Sequence, residues 1–140
     1  MWAIQLRLAH PDEGPKLKAL MTAFGYNYLD LMDFSELTPD WVFAEHEGEL
    51  VGSIQVILSK PVGQVQGLAV DPNLTHRRRA QVVKVLMDQT SVTFGAANIN
   101  LATFFVAHKR KDFKRLLKRR GVIVAATGNL MIGQPATWRG

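Results

Sequence analysis

The sequence contains no cysteine, and its two tyrosines, Tyr26 and Tyr28, both lie near the start of the chain. The lack of thiols excludes disulfides, thiolate zinc sites and a cysteine nucleophile, and it is compatible with a reducing compartment. No apolar run approaches the length that crosses a bilayer, and the first residues lack the apolar core of a signal peptide. We therefore expect an intracellular protein, cytoplasmic unless it belongs inside a virus particle.

The rest of the composition is that of an ordinary globular domain. Of the 140 residues, 47% are hydrophobic and 21% are charged, a balance that argues against disorder. The length is close to the most common size of a single domain, and we find no repeat, low-complexity tract or long linker. The sequence therefore predicts one domain over residues 1–134, followed by a tail at residues 135–140.

Charge is distributed unevenly along the chain. Residues 1–60 carry nine acidic and four basic residues, a net of −5. Residues 61–140 carry three acidic and thirteen basic residues, a net of +10, and the whole chain has +5. This asymmetry predicts that the second half faces something anionic, which is a phosphorylated cofactor, a nucleic acid or an acidic protein surface.

Hydrophobic periodicity predicts the elements of the first half. Residues 2–8 alternate apolar and polar side chains, as a half-buried strand does. Apolar residues at three- and four-residue spacing then predict a helix ending near Gly25, with a second short helix around residues 28–34. The segments 41–46, 50–58 and 65–70 are typical of strands, and the first two form a hairpin.

The second half predicts alternating helices and strands. A long helix follows residues 73–75 and is expected to stop at Gly95. A strand at 101–106, a basic amphipathic helix at 112–120 and two short strands complete the chain. The short strands are expected at residues 122–126 and 130–134. The order predicts an α/β domain with a mixed, mostly antiparallel sheet of about six or seven strands and about four helices on its two faces.

Three segments carry a resemblance to a known family. They are residues 4–13, the hairpin residues 43–52, and the sequence Gly67-Leu68-Ala69-Val70-Asp71-Pro72 before the long helix. The third resembles the apolar-x-Val-x-Pro strand end that precedes the pyrophosphate loop of the GNAT (Gcn5-related N-acetyltransferase) family. The resemblance spans nearly the whole chain and implies the GNAT fold.

The resemblance also implies a site for acetyl-CoA. In the family, the fourth strand separates from the fifth, and its free backbone groups hydrogen-bond the pantetheine arm; here these would be Leu68, Ala69 and Val70. The next loop and helix N-terminus offer N–H groups to the pyrophosphate. The family's consensus sequence for that loop is Arg/Gln-x-x-Gly-x-Gly/Ala. The matching residues here are Arg77, Arg78, Arg79, Ala80, Gln81 and Val82.

Two departures from the family pattern bear on binding and chemistry. Ala80 and Val82 stand where the family has small residues that let backbone approach phosphate closely, although three arginines add charge. The asparagine and tyrosine of the family's last long helix correspond to Arg110 and Leu117. The tyrosine that protonates the leaving thiolate in the family is therefore missing from its usual place.

A general base could be Glu45, Glu47, His46 or a water molecule, and nothing in the spacing selects one. Gln64 and Gln66 occupy the place of the family's frequent carboxylate base. His108 follows the strand at residues 101–106, where this fold opens its cleft, and a histidine there could act as general acid or base. A solvent-exposed loop histidine is the alternative interpretation. The four histidines show no metal-ligand spacing, so we predict no metal site.

Basic clusters supply the candidate contacts with an anionic partner. Three arginines at 77–79 begin a helix, where cations oppose the dipole, and this favours an anion nearby. Residues 109–120 include eight basic residues in twelve, whose charged face is either solvated or contacts nucleic-acid phosphates or an acidic protein. The candidates in this segment are Lys109, Arg110, Lys111, Lys114, Arg115, Lys118 and Arg119.

Two functions from different classes follow. The first is an acyl-CoA-dependent N-acetyltransferase, weak or inactive, in which an amine of a small molecule or protein attacks the thioester directly. The second is a catalytically inactive GNAT-fold binding or assembly protein, similar to small GNAT-like proteins of tailed-phage particles, that contacts an anionic partner with its basic half. No membrane partner is expected. The eroded motifs favour the second function, and the usual activity of the family favours the first.

Overall fold

The structure is a computed structural model that describes residues 2–105 and 111–119. The chain divides into two compact units, Met1–Lys109 and Arg110–Gly140. The predicted strands at 122–126 and 130–134 lie outside the described residues, as do the predicted domain boundary at residue 134 and the tail after it.

The described part of the first unit contains five strands and two α-helices. They are β1 (Gln5–Leu8), α1 (Gly14–Phe24), β2 (Trp41–His46), β3 (Glu49–Ile57), β4 (Gly63–Val70), α2 (His76–Ala96) and β5 (Ala102–Phe104). The strands form one sheet in the order β1-β2-β3-β4-β5, antiparallel except for the parallel pair β4–β5. The second unit contains α3 (Lys111–Lys118). The prediction of a mixed, mostly antiparallel α/β sheet is confirmed.

The two helices of the first unit cover opposite faces of the sheet. Leu17 and Met21 of α1 belong to a buried cluster that includes Phe43 of β2. On α2, the Cγ1 atom of Val82 lies 2.5 Å from where a Cβ would stand on Gly52, and Ala44 borders the same position. Neighbouring residues of a strand point to opposite faces, so α1 packs on the Phe43 face and α2 on the Ala44 face.

The predicted second helical segment is confirmed as a single 3₁₀ turn, Leu29–Leu31, which ends where Met32 takes an extended conformation. One predicted helix end is wrong. Gly95 does not end the long helix, which runs to Ala96. The left-handed residue that follows is Asn98, with φ of 58°, and asparagine tolerates that conformation better than most residues.

The segment between α1 and β2 is held at several points. The backbone N–H of Leu37 donates to the Pro11 carbonyl at 2.9 Å, and Leu29 is buried. A Cβ on Gly14 would stand 1.7 Å from the Phe34 carbonyl oxygen, so the start of α1 approaches this segment as only glycine allows. Residues 26–37 are therefore fixed against α1.

A buried carboxylate joins α1 to the sheet. Glu13 is 7% exposed and accepts hydrogen bonds from Arg7 Nη1 at 2.5 Å, from Arg7 Nη2 at 2.6 Å and from the His10 backbone at 2.9 Å. Arg7 Nε also donates to Glu45 of β2 at 2.6 Å. The Arg7 hydrogen bonds lower the pKa of Glu13 to about 2, and the carboxylates raise the pKa of Arg7. The start of α1 is thereby tied to β1 and β2.

Within the described residues, no helix combines the length and the apolar character that crossing a membrane requires.

Acid should weaken the fold through Glu13. Its pKa is about 2 in the folded chain against an ordinary 4.5, so the unfolded chain takes up the proton first. The stabilisation is complete above pH of about 4.5 and is lost as the pH falls towards about 2.

Glu13→Gln should lower the free energy of unfolding by about 2 kcal/mol at neutral pH, measured by urea denaturation. Glu49→Gln, at an exposed carboxylate, is the control. A Glu13→Gln deficit that is equally large in strong acid would contradict this assignment.

Candidate functional site

In the described residues, β4 pairs with β5 over a short stretch only. Gly63, Gln64 and Val65 pair with Ala102, Thr103 and Phe104. Beyond Val65, the described part of β5 has no residue paired with β4, which continues to Val70. The last residues of β4 therefore have one side on which no described strand supplies hydrogen-bond partners.

Strand β4 contains a bulge just beyond the residues that pair with β5. Ser53 pairs with Ala69 and Gln55 with Gln66, so the single residue Ile54 faces both Gly67 and Leu68. Gly67 has φ of 65°, a conformation that glycine adopts without the penalty other residues incur. A Cβ there would stand 2.3 Å from Cη2 of Trp41. The bulge thus requires glycine at position 67, because the backbone there contacts the indole ring of Trp41.

The register shows which backbone groups of β4 are already used. The Asp71 N–H donates to the Val51 carbonyl at 2.9 Å, so Asp71 and, two residues back, Ala69 direct their backbone groups to β3. Successive residues of a strand point these groups to opposite edges. Leu68 and Val70 therefore direct their backbone groups away from β3, towards the side on which β5 pairs with the first residues of β4. All three of the predicted pantetheine contacts are buried, with 3% of Leu68, 0% of Ala69 and 1% of Val70 exposed. A ligand would reach the backbone of Leu68 and Val70 only by lying beside the strand, where a further strand would otherwise pair.

Two side chains satisfy carbonyl groups of the bulge. The buried Ser53 hydroxyl donates to the Gly67 carbonyl at 3.0 Å. The Tyr26 hydroxyl, which comes from the end of α1, donates to the Leu68 carbonyl at 2.9 Å. Among the described residues, no strand pairs with the Leu68 N–H or with the backbone groups of Val70 on this side of β4.

Helix α2 follows β4 after the short connection at residues 71–75. Thr75 is its N-cap, and the Thr75 hydroxyl accepts from the Arg78 N–H at 3.2 Å. The Arg79 N–H donates to the Thr75 carbonyl at 2.9 Å. The N–H groups of His76 and Arg77 precede the first intrahelical bond, as the opening N–H groups of any α-helix do. Residues 75–78 are exposed, so this turn is open to an anion from solvent and the helix dipole favours one there.

The three arginines at this turn have different surroundings. Arg77 is exposed. The Arg78 guanidinium carbon lies 5.2 Å from the centroid of the Trp2 ring, a cation–π contact. Arg79 is half-buried, and among the described residues its Nε atom is buried without a hydrogen-bond partner. Arg77 and Arg78 are therefore both exposed to solvent, and the Arg78 guanidinium is the one held over the Trp2 ring.

Trp2 fixes the start of the chain against this turn. Its ring lies 4.8 Å from that of His46, between centroids, and its carbonyl accepts from Gln81 Nε2 at 3.1 Å. Gln81 is therefore occupied by a structural contact. The other predicted pyrophosphate residues, Ala80 and Val82, lie in the second turn of α2, and Val82 is 0% exposed against the sheet.

The remaining predicted residues lie apart from this turn in the sequence. His108, Lys109 and Arg110 fall outside the described residues. Lys111 begins α3, and the basic side chains at the end of that helix are exposed. Those exposed residues are Arg115, Lys118 and Arg119, while Lys114 is half-buried. Among the residues that the structure describes, no group of His, Asp and Glu side chains could hold a metal ion; the absence of a metal site stays a prediction.

Sequence reasoning missed Tyr26 as a residue of this site. It is 42 positions from Leu68, and no spacing rule links a tyrosine after one helix to a carbonyl of a distant strand. Only the packing of α1 across the sheet brings the two together.

The sequence matches no protein-family model, and no curated protein is significantly similar to it. Solved structures do resemble it. Ard1 from Thermoplasma volcanium is 21% identical with a TM-score of 0.72, over 89% of this chain and 85% of that one. An acetyltransferase of the GNAT family from Staphylococcus aureus Mu50 is 16% identical with a TM-score of 0.72, over 85% and 84%. PaiA N-acetyltransferase from Thermoplasma acidophilum, in complex with coenzyme A, is 12% identical with a TM-score of 0.71, over 84% and 88%. At such identities the likeness shows the fold alone.

Gly67 should be far less replaceable than Gly48, the left-handed glycine between β2 and β3. Gly48 has φ of 80° with nothing within 4 Å of where a Cβ would stand, whereas at Gly67 the Trp41 ring occupies that position. Gly48→Ala should cost about 1 kcal/mol from backbone strain, and Gly67→Ala about 3 kcal/mol or more, because overpacking adds to the strain. Urea denaturation of both variants measures the difference. Equal losses would show that the bulge does not depend on the Trp41 contact.

Proposed function

We propose that this chain, which has the GNAT fold, binds an acyl-CoA along β4 and transfers the acyl group, acetyl in the first instance, to an amine. One observation carries the proposal. Within the described residues, β4 has no strand paired with it on the β5 side beyond Val65, and this edge leads within a few residues to the exposed first turn of α2. An extended ligand with amide groups and an anionic end has complementary partners along that path.

The residues present fit the two parts of such a donor. Pantetheine amides need both donors and acceptors, and Leu68 N–H with the two backbone groups of Val70 supply them. Phosphates need N–H groups and positive charge, which the His76 and Arg77 N–H groups and the Arg77 side chain supply. Bound CoA would carry the acyl group as a thioester.

The side chains that replace the family's small residues do not oppose this fit. Ala80 and Val82 lie one turn beyond the exposed N–H groups, and Val82 packs against the sheet. Its methyl groups are therefore directed away from the turn where phosphate would bind. The positive charge of Arg77 adds to the helix dipole at that turn.

One observation supports the alternative function, that of a binding or assembly protein. Arg115 and Lys118 of α3 and Arg119 directly after it are exposed, as contacts with an anionic protein or nucleic acid would require. A binding or assembly protein of this kind, in a virus particle or elsewhere, needs no acyl donor. The two functions therefore differ in whether acetyl-CoA stabilises the folded chain.

Thermal unfolding with acetyl-CoA separates the two functions. A ligand at about one hundred times its Kd adds roughly 2.7 kcal/mol, which raises the Tm by several degrees for a domain of this size. ATP at the same concentration controls for polyanion binding to the basic half. We expect a clear shift with acetyl-CoA and little with ATP. Absent or equal shifts would contradict acyl-CoA binding and favour the assembly function.

Arg77→Ala should weaken acetyl-CoA binding about tenfold or more, because a charge-assisted hydrogen bond contributes roughly 1.5–3 kcal/mol. Arg78→Ala is the matched control, since the Arg78 guanidinium already lies over Trp2 and should contribute little to affinity. Isothermal titration of acetyl-CoA into each variant measures Kd. If Arg78→Ala weakens binding as much as Arg77→Ala does, the phosphates lie elsewhere on the helix.

Turnover can be measured directly as the release of CoA with a free thiol. The chain contains no cysteine, so a thiol reagent reports only the thiol released from acetyl-CoA. Amine-dependent release above the rate without protein would support transfer. Tight acetyl-CoA binding with no release across a broad panel of peptide and small-molecule amines would limit the function to binding.

A further inference from the structure

The position of Tyr26 is set by the end of α1. Gly25 caps that helix with φ of 112°, and the Tyr26 N–H donates back to the Met21 carbonyl at 3.0 Å. The Tyr26 ring lies 5.8 Å from that of Phe24, between centroids. The backbone and ring are thereby held, and the phenol is directed across the sheet to the Leu68 carbonyl at 2.9 Å.

The Tyr26 hydroxyl lies on the side of β4 that faces away from β3, where no described strand pairs with Leu68. The Leu68 carbonyl points away from β3, because Ala69 beside it pairs with Ser53 of β3. A donor bound as proposed has its phosphates at the first turn of α2, which follows Val70 in the sequence. Its reactive end must then lie further back along β4, in the direction of Leu68 and of the Tyr26 hydroxyl.

We propose that Tyr26 is the catalytic acid that protonates the leaving thiolate, an inference that rests on the proposed function. The acceptor nitrogen attacks the acyl carbon, a C–N bond forms, and the C–S bond breaks with its electron pair going to sulfur. The Tyr26 O–H gives its proton to that sulfur. The proton lost by the amine passes to water, and solvent returns a proton to the phenolate.

The existing hydrogen bond is compatible with this transfer. The Leu68 carbonyl is a neutral acceptor that holds the hydroxyl at the edge of β4 while no sulfur is present. A thiolate is a charged acceptor, and hydrogen bonds to charged groups are the stronger kind. The hydroxyl can therefore leave the carbonyl as negative charge develops on sulfur. Tyr26 would thus fill a role for which the matching position on the last helix offers only Leu117.

Tyr26→Phe removes the hydroxyl and keeps the ring that packs beside Phe24. The kcat should fall about a hundredfold or more, as expected for loss of an acid–base group, while the KM for acetyl-CoA and the Tm shift with acetyl-CoA stay unchanged. Tyr28→Phe is the matched control, because Tyr28 is the other tyrosine of the chain and is 63% exposed. It should have the wild-type kcat.

A second measurement does not depend on turnover. The thiolate of bound CoA absorbs in the ultraviolet, and a chain without cysteine adds no thiolate of its own. A hydrogen bond from Tyr26 favours the charged form of the sulfur. The thiol of CoA bound to Tyr26→Phe should therefore titrate at higher pH than the thiol of CoA bound to wild type or to Tyr28→Phe.

Three results would overturn the inference. They are full kcat in Tyr26→Phe, an unchanged titration of the bound thiol, and a fall in kcat that is matched by a rise in KM and a smaller acetyl-CoA shift, which is the signature of a structural role. Each is distinct from failure of the proposed function, in which the wild-type chain itself shows neither an acetyl-CoA shift nor thiol release.

Discussion

The contact between Gly67 and Trp41 is the constraint on which the candidate site depends. A residue with a Cβ cannot stand where the indole ring lies, and the backbone there takes a left-handed conformation. The bulge that results adds one residue to β4 opposite Ile54 and reorients the strand, as bulges do. It also sets which residues, Leu68 and Val70, direct their backbone groups away from β3. Every proposed contact with the donor arm follows from that register.

The two ends of the site are fixed by different devices. At one end, Thr75 caps α2 and Trp2 holds Arg78, so the exposed turn carries free N–H groups and the charge of Arg77. At the other end, the fixed segment after α1 brings a phenol to the Leu68 carbonyl. The anionic part of a donor and its leaving sulfur would therefore meet opposite chemistry, a positive turn and a proton donor, along one strand.

The sequence predicted what depends on local pattern. The cap at Gly25, the hairpin of β2 and β3 and the buried side of α2 all appear where periodicity and turn chemistry place them. Prediction from the sequence failed where a local preference competes with packing or with the preference of a neighbouring residue. Gly95 lies within α2 because nothing there requires a left-handed residue, and Asn98 takes that conformation instead. Tyr26 was not predicted as a site residue because its partner, the Leu68 carbonyl, is 42 residues away. The contact forms only when α1 packs on the sheet.

The most direct test of the account is a backbone amide NMR titration of the chain with acetyl-CoA. The account predicts chemical-shift changes at the amides of Leu68, Val70, His76 and Arg77, with none at Val42 on β2. Changes confined to α3, or no changes at saturating acetyl-CoA, would contradict the claim that the end of β4, at Leu68 and Val70, and the first turn of α2 form one donor site.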